Sequence, residues 1–129
     1  MTASSTAILL LGHGSRAPEA NTGMYQVAAD LQETGNYLKV ECAFLELNSP
    51  DIPQGLTNCR EAGAQEIIVI PFFLHLGRHV KEDLPRIIGE WQRSAPGVKV
   101  ITGQPFGYSR KLVELVEERI AEALTDRAR

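Results

Sequence analysis

Residues 7–16 read AILLLGHGSR, and this stretch constrains how the rest of the chain can fold. Five consecutive apolar residues followed by glycine are typical of a parallel β-strand that is covered on both faces. The strand leads directly into a histidine between two glycines. Glycine permits a tight turn with positive φ, so the imidazole of His13 can project from the turn into a cleft. We therefore predict a buried first strand that ends in a candidate functional loop.

Outward from this stretch, strand-like and helix-like segments alternate four times without a linker or a repeat. Residues 38–44 alternate apolar and polar side chains, residues 67–70 are apolar throughout, and residues 98–101 form a short fourth strand. The helical segments carry apolar positions at the helical period. These positions are Met24, Val27, Ala28 and Leu31; Ile52, Leu56 and Cys59; Leu84, Ile87, Ile88 and Trp91; and Leu112, Leu115, Val116, Ile120 and Ala123.

The difference between the strands predicts their order. The first and third strands are apolar enough to be buried on both faces, whereas the second and fourth resemble edges. With right-handed connections, a βαβαβαβα chain then forms a parallel sheet of order 2-1-3-4. We predict a single α/β domain over residues 1–129, a flavodoxin-like three-layer sandwich. Such sheets bind ligands where the chain reverses direction, here in the loops that follow Leu11 and Ile70.

Composition narrows the classes of function. The net charge of −3 gives no electrostatic basis for binding nucleic acid. The apolar run at residues 7–11 is too short for a signal peptide or a membrane-spanning helix. Cys42 and Cys59 are isolated and have no metal-binding spacing, so we expect two buried free thiols in a reducing compartment. The predicted location is the cytoplasm.

The loop after the third strand, residues 71–85, reads PFFLHLGRHVKEDLP. Phe73 and Leu74 are predicted to line a pocket wall, and the glycine before Arg78 frees the backbone ahead of His79. Asp83 follows His79 by four residues, so its carboxylate either orients that imidazole or caps a helix just ahead of the proline.

Two further side chains of the predicted rim are ambiguous. His75 lies between leucines, which favours a packed residue of the pocket wall over a metal ligand. Glu46 ends the second strand, on the rim that also carries His13. It either faces the cleft and accepts protons or is a solvated loop charge.

Two cleft histidines and a carboxylate suit a reaction that handles both a metal and protons. Neutral imidazoles bind first-row divalent metals and accept protons near neutral pH. Insertion of a metal into a tetrapyrrole needs both, because two pyrrole protons leave as the metal enters. Thiolates would hold a soft metal too tightly to release it.

Three segments together resemble the class II tetrapyrrole chelatases of cobalamin and sirohaem synthesis. They are residues 12–16 followed by Asn21, residues 44–46 followed by Pro50, and the pattern PxFLxxGxHxxxDLP at residues 71–85. The resemblance is strongest to the short, single-domain sirohydrochlorin cobaltochelatase type. It implies a chelatase-like fold and insertion of cobalt, or of iron or nickel, into sirohydrochlorin without an organic cofactor. It also implies a homodimer, with His13 and His79 as metal ligands and proton acceptors and with Glu46 assisting.

Sirohydrochlorin is rich in carboxylates, so a net acidic chain needs local positive charge to bind it. Arg16 and Arg78 adjoin the two histidine motifs, and Lys81 and Arg110 fall near the same rim, although each can equally be an ordinary solvated charge. The expected substrate contacts are Ser15, Arg16, Phe73, Leu74 and Arg78.

Two other functions fit parts of the pattern. A non-catalytic metal or tetrapyrrole carrier needs the same ligands as a slow chelatase, and only turnover separates the two. A phosphohistidine enzyme also places a histidine after the first strand. Such enzymes usually have an arginine immediately before that histidine, whereas Leu11 and Gly12 precede His13 here.

Overall fold

The computed structural model describes residues 5–127 and contains a four-stranded parallel sheet. The strands are β1 (Thr6–Gly12), β2 (Lys39–Phe44), β3 (Glu66–Pro71) and β4 (Lys99–Thr102). Their order is β2-β1-β3-β4, which confirms the predicted order and the predicted edge strands. The predicted domain also included residues 1–4 and 128–129, which lie outside the described residues.

Four α-helices connect and follow the strands. A 3₁₀ turn leads into α1 (Thr22–Thr34), and α2 (Ile52–Glu61), α3 (Arg78–Arg93) and α4 (Arg110–Arg127) follow. None of the helices within residues 5–127 has the length and apolar character needed to cross a membrane.

Local sequence signals explain where two of these helices begin and end. The side chain of Asp51 accepts a hydrogen bond from the backbone N–H of Gln54 at 2.9 Å and so caps α2. Helix α1 ends at Thr34 and is followed by Gly35, whose backbone N–H donates to the carbonyl of Leu31. A Cβ atom at Gly35 would lie 2.2 Å from the Tyr37 ring, so only glycine fits this close approach.

One face of the sheet is closed by α2 and α3. Alternate residues of β1 and β3, including Leu9, Leu11 and Val69, pack there against Leu56 and Leu84, and all five are at most 2% exposed. Burial of such aliphatic side chains contributes about 1.5–3 kcal/mol each. This face holds most of the core.

The opposite face of the sheet is only partly covered. Helix α1 packs on β1 and β2, but Ile68 and Ile70 of β3 are only half-buried. The expectation that the third strand is buried on both faces is therefore wrong, because α4 buries none of its residues against the described chain. A cavity of about 350 Å³ remains on this face, which we call the open groove. It is lined by Ile8, Leu10, Val27, Leu31, Tyr37, Ile68, Ile70, Phe72 and Phe106.

The two cysteines are buried free thiols, as predicted. Burial, with a smaller contribution from the nearby Glu41 carboxylate, raises the pKa of Cys42 to about 11 and that of Cys59 to about 12. Both thiols are therefore protonated at neutral pH and unreactive as nucleophiles.

Candidate functional site

Three loops meet at the carboxyl ends of the central strands. Sheet register pairs Gly12 with Phe44 and Leu11 with Pro71, so β1, β2 and β3 end at the same edge. Backbone hydrogen bonds continue past the strand ends, from Leu45 N–H to Gly12 C=O at 3.0 Å and from Phe72 N–H to Leu11 C=O at 2.8 Å. The ladder thus holds together the segments that carry the candidate residues.

The structure brings two of the predicted site residues into contact. Nε2 of His13 lies 3.3 Å from Oε2 of Glu46, and both side chains are about 60% exposed. The His13 ring also meets the Phe73 ring edge-on, with centroids 6.3 Å apart. A neutral imidazole here can accept a proton, and the carboxylate then stabilises the resulting imidazolium.

A glycine makes this contact possible. Gly14 has φ +102°, and a Cβ atom there would lie 1.8 Å from the backbone oxygen of Glu46. Any side chain would push the two loops apart and separate His13 from the carboxylate. The glycine-flanked histidine of the sequence therefore corresponds to a close approach of two backbones.

A cavity of about 330 Å³ adjoins His13. Two of the expected substrate contacts, Ser15 and Phe73, are among its lining residues, and Arg16 is exposed on the same loop. Leu74 is 58% exposed and lies outside this lining. The cavity is lined by Gly12, His13, Gly14, Ser15, Ala20, Asn21, Gly23, Met24, Phe72 and Phe73.

The second predicted histidine is carried by a helix. Arg78 and His79 are the first two residues of α3, and both are exposed. Among residues 5–127, no three His, Cys, Asp or Glu side chains lie close enough to hold a metal together. His79 therefore shares the rim with the pair formed by His13 and Glu46 but does not complete a three-ligand cluster with it.

Asp83 has neither of the two roles considered for it. Because α3 begins at Arg78, Asp83 lies in the second turn and cannot cap the helix, and Pro85 falls inside the helix. The Asp83 carboxylate lies 3.5 Å from the Arg86 guanidinium, so its ion-pair partner is Arg86 and not His79.

Three other residues of the expected rim are exposed. His75 is solvent-exposed, so the expectation of a packed wall residue is wrong. It lies in the connection between β3 and α3. Lys81 and Arg110 are also exposed, in the first turns of α3 and α4.

Sequence reasoning missed Asn48. Its Oδ1 accepts hydrogen bonds from the backbone N–H of Ser15 at 2.6 Å and from Nδ2 of Asn21 at 3.1 Å. The only signal was an asparagine between Glu46 and Pro50, in a segment whose composition is typical of a turn.

The fold is a flavodoxin-like parallel sheet, and a histidine–carboxylate pair lies at the carboxyl ends of β1 and β2, beside the switch point. These features define a class of α/β proteins with a site suited to metal and proton chemistry. The sequence model of the CbiX family matches residues 7–123. The chain belongs to the CbiX family.

Several named proteins are similar to this chain. A sirohydrochlorin ferrochelatase of Priestia megaterium is 38% identical over 94% of the chain, and the match covers 46% of that protein. A sirohydrochlorin cobaltochelatase of Methanopyrus kandleri is 30% identical over 92% of the chain and 96% of its own length. The cobalt complex of the sirohydrochlorin chelatase SirB from Bacillus subtilis superposes with a TM-score of 0.83 at 30% identity, over 92% of this chain and 50% of SirB. The chain thus spans about half of the larger relatives and nearly all of the shorter one.

Proposed function

We propose that this chain inserts a divalent metal ion into sirohydrochlorin, with the metal and the tetrapyrrole both as substrates. The observation that carries the proposal is the 3.3 Å contact between His13 and Glu46 at the carboxyl ends of β1 and β2, beside the switch point of a CbiX-family sheet. The names of the relatives, sirohydrochlorin ferrochelatase and cobaltochelatase, support the same substrate. Cobalt, iron and nickel all accept imidazole and carboxylate ligands.

The reaction exchanges one divalent metal ion for two pyrrole N–H protons. A neutral imidazole at His13 can receive one of these protons, and Glu46 stabilises the charged ring that forms. His79, on the same rim, supplies the second metal ligand and proton acceptor of the proposal. Because imidazole binds such metals reversibly, the metal can pass on to the macrocycle.

The surroundings of His13 suit a flat, polyanionic substrate. Phe73 supplies an apolar surface beside the His13 ring, and Leu74 supplies exposed apolar surface in the same loop. Arg16 and Arg78 are exposed on the two loops and can pair with substrate carboxylates, and Ser15 lies in the cavity wall. No organic cofactor enters this scheme.

An anaerobic assay with sirohydrochlorin and each of Co²⁺, Fe²⁺ and Ni²⁺, followed by absorbance, tests the proposal. We expect many metallated products per site. A yield that stops at one product per site would replace the chelatase with a metal or tetrapyrrole carrier. Hydrolysis of generic phosphate esters without metallation would instead favour the phosphohistidine alternative.

We also propose that the working unit is a homodimer. A single lobe offers one shallow rim, whereas small-molecule sites usually bury about 70% or more of their ligand. Leu115, Val116, Ile120 and Leu124 leave an apolar face of α4 between 43% and 53% exposed. The same chain carries the open groove, and two surfaces that need covering on one chain favour a second copy as their occupant. A two-fold arrangement can lay α4 of each copy in the groove of the other.

Light scattering at micromolar concentration should give the mass of a dimer. Ile120→Asp should shift it towards monomer, because the charge would be buried at the interface. Thr125→Asp, which adds the same charge on the opposite face of α4, should remain dimeric. A monomeric wild-type chain with full chelatase activity would refute the homodimer as the working unit.

A cytoplasmic location and a single chelatase-like domain over residues 1–129 complete the proposal. Buried free cysteines on both faces of the sheet support a reducing compartment. Cell fractionation with an antibody to the native protein tests the location, and recovery in an oxidising compartment would contradict it.

A further inference from the structure

A single side-chain oxygen joins three segments of the candidate site. Oδ1 of Asn48 accepts hydrogen bonds from the backbone N–H of Ser15 and from Nδ2 of Asn21. Ser15 follows His13 by two residues, Asn21 immediately precedes α1, and Asn48 follows Glu46 by two residues. The oxygen therefore connects the loop that carries the histidine with the loop that carries the carboxylate.

Backbone hydrogen bonds join the same two loops a second time. Glu46 N–H donates to the carbonyl of His13 at 3.2 Å, and Asn48 N–H donates to the carbonyl of Glu46 at 2.8 Å. Leu47, between them, has φ +69°, the left-handed conformation that lets the chain turn back within two residues. This turn brings the Asn48 side chain back to the His13 loop, where it accepts the hydrogen bond from Ser15 N–H.

The side-chain contact between His13 and Glu46 is not able to fix this geometry by itself. Both side chains are about 60% exposed, and exposed pairs contribute little because water screens them. Asn48, Ser15 and Asn21 are each only partly exposed, so their hydrogen bonds are better shielded. The distance between the imidazole and the carboxylate is therefore set mainly by the backbone that Asn48 holds.

From this geometry we infer that Asn48 is a positioning residue for the metallation reaction. Asn48 is not a lining residue of the cavity, but it bonds to two residues that are, Ser15 and Asn21. It acts by holding the loop that presents His13 to Glu46. Because small displacements of reacting groups lower rates strongly, loss of this acceptor should reduce kcat. The inference rests on the proposed function.

The experiment compares two substitutions at Asn48 with a matched control. Asn48→Leu removes the acceptor at similar volume and should lower kcat for sirohydrochlorin metallation about tenfold or more, with KM changed less than about twofold. Asn48→Asp keeps an acceptor oxygen and should restore kcat to within about threefold of wild type. Asn58→Leu is the control, because Asn58 also hydrogen-bonds through its side chain, to Glu41 at 2.7 Å, but belongs to α2.

Amide hydrogen exchange at Ser15 supplies a readout that does not depend on catalysis. Protection of this N–H should be lost in Asn48→Leu and retained in Asn48→Asp. If Asn48→Leu does not fold, Asn48→Ala removes the same oxygen without added bulk and should show the same losses. A normal kcat in a folded variant that has lost Ser15 protection would overturn the inference, as would an equal loss in Asn58→Leu. A wild-type chain that metallates nothing would refute the proposed function, whereas unchanged Ser15 exchange would refute the loop-holding role alone.

Discussion

The two loops that carry His13 and His79 support their histidines in different ways. His13 lies in a turn whose backbone is bonded to the neighbouring β2 loop, and its side chain already meets a carboxylate. His79 lies in the first turn of α3, where the bond from Lys81 N–H to Gly77 C=O at 3.0 Å fixes only the helix backbone. In the proposed reaction the first histidine therefore begins with a carboxylate beside it, whereas the second would receive its partner from substrate, metal or a second copy.

Removal of either histidine should have the largest effect and tests whether the two are functionally equal. His13→Ala and His79→Ala should each lower the metallation rate about a hundredfold or more at saturating metal, because each removes a proton acceptor and a ligand. Thermal unfolding should change little, since both side chains are exposed. Near-normal rates in both variants would refute the site, and a large loss in His13→Ala alone would make His79 dispensable.

A change of pH should affect both loops through their imidazoles. Protonated imidazole neither binds metal nor accepts a pyrrole proton. The metallation rate should therefore fall as the pH is lowered, because protonation of either ring removes a ligand and a proton acceptor. Initial rates in buffers that do not bind metal, with substrate and metal speciation controlled, measure this dependence. A flat profile would mean that no histidine titrates in the limiting step.

Much of the fold follows from the sequence because the pattern of apolar residues along a strand indicates how far the strand is buried. The two strands with continuous apolar sequence were predicted to be central and the other two to be edges. The structure has this arrangement. The half-buried Ile68 and Ile70 were not foreseeable in the same way. Periodicity identifies an apolar face on α4 but does not say whether that face meets its own sheet.

The parts of the candidate site that depend on sheet order and backbone geometry were predictable from the sequence. His13 and Glu46 follow adjacent strands, so their contact follows from sheet order and from the glycine turn. Asp83 could reach either His79 or Arg86 from its helix, and sequence spacing does not choose between them. Asn48 escaped notice because its role depends on how closely two loops approach, which no local pattern encodes.

Loss of the Glu46 carboxylate should have an intermediate effect on the metallation rate. It measures how much His13 gains from the carboxylate beside it. Glu46→Gln keeps the shape of the side chain but cannot stabilise an imidazolium, so the rate should fall about fivefold to tenfold. The effect is smaller than that of His13→Ala because the pair is exposed. Glu90→Gln, in an exposed ion pair on α3, is the control and should leave the metallation rate unchanged. A hundredfold loss in Glu46→Gln would make Glu46 a metal ligand or a proton acceptor itself.

The smallest effect is expected at His75, which precedes α3 in the same segment as His79. It tests whether the metallation reaction uses only one histidine of this segment. Its ring is exposed, and the adjacent Leu74 is held through its carbonyl by Gly107 N–H at 2.8 Å, so the backbone there does not depend on the imidazole. His75→Ala should therefore change the metallation rate less than about threefold, within the range of surface substitutions. Steady-state kinetics beside His79→Ala under the same metal concentrations give the comparison. A loss as large as that of His79→Ala would show that the loop presents two metal-handling imidazoles. His13 would then face a pair of histidines, and the contrast between the two histidine loops would no longer describe the site.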